Sequence, residues 1–76
     1  MITSDQIRAA RALLRWTADD LAEASKTGIA TIRRFEMQEG VPSGQVRILD
    51  LLKTTFENAG IEFIGAPNDR PGVRFK

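Results

Sequence analysis

Apolar positions recur along this chain with two different periods. From Thr3 to Ala59 the spacing is helical, and after Gly60 it becomes alternating. Thr3 and Gln6 have the spacing of a capping box, and Ile7, Ala10 and Leu14 follow at helical intervals with Arg11 on the same stripe. The pattern predicts a first helix from about Asp5 to Arg15. Thr17-Ala18-Asp19-Asp20 repeats the start signal, with acids in the first turn of a second helix. Leu21, Ala22, Ala24 and Ser25 continue that helix, and Lys26-Thr27-Gly28 breaks it. A short third helix is predicted from Ile29 to Met37, with Ile32 and Phe35 inward. Gln38 to Ser43 reads as a loop, with Ser43 placed to cap the next helix. The fourth and longest helix is expected from Gly44 to Ala59. Val46, Leu49, Leu52 and Phe56 form its core stripe, widened by Ile48 and Leu51, and Gly60 closes it.

Beyond Gly60, Ile61-Glu62-Phe63-Ile64 reads as a strand, Gly65 to Gly72 as a turn region, and Val73-Arg74-Phe75-Lys76 as a second strand. The expected hairpin packs Ile61, Phe63, Val73 and Phe75 on one face. The fold class is therefore mainly α, a bundle of four to five helices with a short C-terminal β-hairpin. Residues 1–60 are expected to form the working domain, and 61–76 an element that could dimerise.

Composition narrows the chemistry. The 76 residues suffice for one domain with a modest core. With no cysteine and no histidine, disulfides, thiolate metal sites and imidazole chemistry are excluded. Small secreted domains usually need disulfide staples, so a cytoplasmic location is expected. No apolar run approaches the roughly 20 residues of a membrane span. Met1 to Asp5 lacks the basic start and apolar stretch of a signal peptide. Adjacent acids such as Asp19 and Asp20 diverge on a helix and make no catalytic pair. No cofactor fingerprint is present, so neither an enzyme nor a cofactor is expected. The net charge is only +1, but it is uneven: Arg8, Arg11 and Arg15 oppose Asp5 in the first stretch, whereas Asp19, Asp20 and Glu23 oppose Lys26 in the next.

The informative stretch is Thr17 to Met37. Two short helices with a tight break are the parts of a helix-turn-helix, which places its second helix in the DNA major groove. Ala22 permits close packing, Leu21 and Ile32 supply apolar contacts, and Thr31, Arg33 and Arg34 give the second helix a polar face. Three runs, Ile7-Arg8-Ala9-Ala10-Arg11, Trp16 to Glu23 and Ala30 to Glu36, resemble the Xre/Cro family of regulators, whose fold is that of the lambda repressor DNA-binding domain. The likeness spans about residues 5 to 59, and the tail resembles the endings of short stand-alone members.

The resemblance implies particular roles. Base-facing positions fall on Gly28, Ile29 and Ala30, and later groove-facing ones on Arg33 and Arg34. A phosphate-binding glutamine position is occupied here by Ala18. Arg11 and Glu36 fall where the family forms an internal ion pair. The turn position that usually holds glycine is Lys26, with Thr27 at the buried turn position. Either Lys26 adopts a left-handed conformation, at about 1 kcal/mol, or Gly28 takes the unusual dihedral. Lys26, Thr17, Thr31, Ser43 and Gln45 are candidates for phosphate, aided by backbone amides at the starts of the second and fourth helices. Ile29 and Ala30 suit a thymine methyl, and the arginines suit guanine. Trp16 reads as a core or boundary anchor. Arg70, Arg74 and Lys76 are candidates for backbone contacts, more simply read as a solvated tail.

The expected function is sequence-specific binding of double-stranded DNA by a transcriptional regulator, a repressor, acting as a homodimer. Two alternatives stand beside it. One is an antitoxin-type regulator that also binds a toxin partner. The other is a protein-interaction module that has lost DNA binding, for which the apolar start of the third helix and the low net charge speak.

Overall fold

The computed structural model describes all residues from Met1 to Lys76. Local capping sets where the first two helices begin. Thr3 Oγ1 accepts from Gln6 N–H at 3.1 Å while Gln6 Oε1 accepts from Thr3 N–H at 2.8 Å, and α1 runs Ser4–Leu14. Thr17 and Asp20 make the same reciprocal pair at the start of α2, Ala18–Ser25. Gly28 begins α3, Ile29–Glu36, without any side-chain cap, and α4 spans Val46–Asn58. Two strands follow, β1 at Ile61–Ala66 and β2 at Asp69–Phe75, paired antiparallel. The protein is thus mainly α, with four helices and a C-terminal β-hairpin.

The break between α2 and α3 takes one of the two expected forms. Lys26 is left-handed, with φ 59° and ψ 34°, and Gly28 is extended, with φ −64°. Thr27 N–H returns to Ala22 O at 3.1 Å, which satisfies a carbonyl at the helix end.

Four expectations are corrected. Ser43 does not cap α4: its backbone N–H and hydroxyl both donate to Gln38 Oε1, at 2.9 and 3.1 Å. Gly44, at φ +109°, cannot be helical, so α4 starts two residues late. The broad turn over Gly65–Gly72 shrinks to Pro67-Asn68, because Asp69 to Gly72 are in β2. A bulge makes this possible, with Gly65 at φ +77° opposite Arg70 at φ 52°. A Cβ on Gly65 would lie 2.2 Å from Arg70 O, so only glycine fits there.

The fourth correction concerns which apolar residues are buried. Ile7, Ala10, Leu21, Ile32, Phe35, Leu49, Leu52, Phe56 and Ile61 are buried in one core with Ile2. Val46 and Phe75 are instead 53% and 56% exposed, and Leu51 is exposed as well. Val46 is the first residue of α4, and Phe75 ends β2, so each sits at the margin of its element. Trp16 stacks on Phe56 at 5.9 Å, and Phe63 meets the same ring edge-on at 6.0 Å, joining the hairpin to the helices. No helix is long and apolar enough to cross a membrane.

Candidate nucleic-acid interface

α3 is held at its C-terminal end by α1. Ser4 Oγ donates to Phe35 O at 2.7 Å, and Arg8 donates to Glu36 O and to the Asp5 carboxylate. Arg11 grips the Glu36 carboxylate with two bonds, Nε to Oε2 at 2.7 Å and Nη2 to Oε1 at 2.8 Å. Its Nη1 donates to Trp16 O at 3.0 Å, just before α2 begins. The hydrogen bond to Glu36 holds the Arg11 guanidinium above its usual range, against the opposing effect of burial. This pair therefore ties α1, the start of α2 and the end of α3 into one geometry. A partly buried ion pair of this kind fixes position more than it adds stability.

The outward face of α3 carries Ala30, Arg33, Arg34 and Met37, all exposed. Their spacing of i, i+3, i+4 and i+7 places them on one stripe. Neither Arg33 nor Arg34 joins an ion pair, and the one acid of α3, Glu36, is held by Arg11. Arg34 lies 5.7 Å from the Phe35 ring centroid, so its guanidinium is oriented without being neutralised. The stripe thus has two free guanidinium groups flanked by a small apolar residue and a flexible one.

The other candidates spread over three places. Lys26, Thr27, Gly28, Ile29, Ala30 and Thr31 are contiguous with the arginines across the break and the first turn of α3. Lys26 and Gly28 are exposed there, while Thr27, Ile29 and Thr31 are half-buried. Thr27 Oγ1 donates to Ser25 O at 3.4 Å, a bond within the turn. Thr17 stands at the far end of α2, exposed, with its hydroxyl accepting from Asp20 N–H. Ser43 and Gln45 are exposed in the loop before α4. Gln38 links that loop to α3, since its Nε2 donates to Arg34 O at 3.5 Å while its Oε1 holds Ser43.

Sequence reasoning missed Ser4, Arg8 and Gln38 as residues that position α3. Their partners are backbone carbonyls or a loop, which leave no pattern in the side-chain order. The far side of α2 differs in sign: an open cleft there is lined by Trp16, Asp20, Glu23 and Ala24. A scan against protein-family models finds no match to the chain, and a search of curated proteins finds none.

Proposed function

We propose that this chain is a double-stranded DNA-binding regulator of helix-turn-helix type, in which α2 supports α3 and α3 enters the major groove. The observation that carries the reading is the stripe on α3, with Arg33 and Arg34 exposed and free of acidic partners on a helix whose other end is fixed by α1. Ala30 at the head of the stripe allows close approach to base edges, and either arginine can reach guanine O6 and N7. Lys26 is exposed beside the start of α3, whose amides have no side-chain cap, and both features suit a DNA phosphate. The resemblance of the helical region to the Xre/Cro family supports the same reading, and with it a cytoplasmic repressor.

The test is titration of labelled duplex DNA, including the DNA upstream of the chain's own gene, at two salt concentrations. Wild type is expected to bind with affinity that falls steeply with salt, through counterion release. Arg33→Ala with Arg34→Ala is expected to lose about thirtyfold or more, from roughly 1–3 kcal/mol per bidentate contact. Both side chains are exposed, so the fold is expected to be unchanged. Weak binding that is equal in the two proteins would sink the proposal. Such a result would favour a protein-interaction module, a reading to which Met37, 85% exposed beside the arginines, lends an apolar contact.

A further inference from the structure

The groups missing from the outward stripe of α3 narrow its chemistry as much as those present. Each base edge in the major groove calls for a particular partner: adenine for a carboxamide, cytosine for a carboxylate, guanine for an arginine fork, and the thymine methyl for an apolar contact. The exposed stripe is Ala30, Arg33, Arg34 and Met37, with neither a carboxamide nor a carboxylate among them. The nearest residues that carry such groups are already engaged. Arg11 holds the Glu36 carboxylate with two bonds, at 2.7 and 2.8 Å. The Gln38 carboxamide accepts from the Ser43 N–H and hydroxyl through Oε1 and donates to Arg34 O through Nε2. Thr31, the one hydroxyl of α3, is half-buried and lies about 100° round the helix from Ala30. Two guanidinium groups remain, bracketed by an alanine methyl at one end and the exposed Met37 thioether at the other.

We infer that α3 selects guanine next to a pyrimidine that carries a 5-methyl group, whether that pyrimidine is thymine or 5-methylcytosine. The inference rests on the proposed entry of α3 into the major groove and names the bases the helix selects there. Guanine follows from Arg33 and Arg34, whose forks match O6 and N7. The methyl follows from Ala30 and Met37. From Ala30 to Met37 the helix rises about 10 Å, against about 3.4 Å per base pair, so the stripe covers roughly three base-pair steps. Each arginine has Ala30 on one side and Met37 on the other, three or four positions away, so both guanidinium groups have apolar neighbours within about one helical turn. An arginine bonded to guanine thus sets apolar surface over the adjoining base, where the C5 methyl of a pyrimidine projects into the groove. Thymine and 5-methylcytosine hold that methyl in the same place. They differ in the group at C4, which the stripe has no carboxylate or carboxamide to distinguish. The consequence is sensitivity to cytosine methylation: a CpG step is bound weakly until it is methylated, and a TpG step is bound as well as the methylated one.

The experiment starts from duplexes selected by the full chain out of a random pool at fixed salt. In the selected site the pyrimidine beside guanine is then varied as thymine, uracil, 5-methylcytosine and cytosine, which isolates one methyl group in two base contexts. Wild type is expected to bind each methylated member about threefold to fourfold more tightly than its unmethylated counterpart, the effect of burying one methyl. Replacing the guanine by 7-deazaguanine, which lacks the N7 acceptor, is expected to weaken binding about fivefold or more. Ala30→Gly with Met37→Ala is expected to lose the methyl preference and keep the guanine preference, a split that general damage to the fold would not produce. If that double variant fails to fold, the wild-type duplex series decides. Equal binding of methylated and unmethylated members, a selected site without guanine, or a methyl preference unchanged in the double variant would overturn the inference. A wild type that binds no duplex overturns the functional proposal and this inference with it, whereas binding without base preference overturns this inference alone.

Discussion

Gln6 does more work than its place in a capping box suggests. It is buried, and its carboxamide is used at both ends. Oε1 accepts from Thr3 N–H, while Nε2 donates to Ile64 O at 3.2 Å and Gly72 O at 2.9 Å. One side chain thus starts α1 and anchors the hairpin to it. Gln6→Glu is nearly isosteric but removes both donors and sets a carboxylate against two carbonyls. It is expected to cost roughly 2–4 kcal/mol in urea unfolding, the range for leaving buried polar groups unmatched. A loss below about 1 kcal/mol would mean that apolar packing alone holds the hairpin, since a single net hydrogen bond is of that size. The capping half of this role is legible in the spacing of Thr3 and Gln6. The hairpin half is not, because its acceptors lie some sixty positions away in the chain.

The α2–α3 break is an element whose sequence left two conformations open. The left-handed residue is Lys26, at φ 59°, where a glycine would carry no steric penalty. Lys26→Gly is therefore expected to raise stability by about 1 kcal/mol in thermal or chemical unfolding. The same change removes an exposed cation next to the start of α3, so under the proposed function it weakens DNA binding and lowers the salt dependence by about one counterion. Opposite signs in the two measurements are the expected outcome. A variant that is less stable, or that binds DNA more tightly, would count against this account of the break. The sequence marks the break clearly through the run Lys26-Thr27-Gly28, but two permissive explanations fitted it equally. The packing of α3 against α2 and α1 fixes the direction in which the chain must leave α2.

At the scale of the whole molecule, helices and hairpin share one core. Ile61 is fully buried within it, and Phe63 packs on Phe56, which also stacks on Trp16. A chain of this length buries a smaller fraction of its surface than a large domain does and has little stability to spare. Ending the chain after Gly60 would remove Ile61 and Phe63 and leave Gln6 Nε2 without its acceptors. The 1–60 fragment is expected to lose its cooperative thermal transition, read by circular dichroism. A sharp transition close to that of the full chain would show that the hairpin is appended to a self-sufficient helical unit.

What the sequence determined by itself is what acts over a few residues. The caps at Thr3 and Thr17, the stripe of α1, the Leu49, Leu52 and Phe56 part of the α4 stripe and the change of period after Gly60 are all read from neighbours within two helical turns, and each is found in the fold. Arg11 and Glu36, named from a resemblance, meet as a bidentate pair. Tertiary structure decided the rest. Ser43 has the residue type of a helix cap, yet Gln38 captures it and Gly44 delays α4. Val46 and Phe75 fit their apolar patterns, yet at the margins of their elements they stay exposed. Glu36, the one acid on the helix of Arg33 and Arg34, is held by Arg11 from another helix. Periodicity gives each residue a face on its own element, and only the packing of elements gives that face a neighbour.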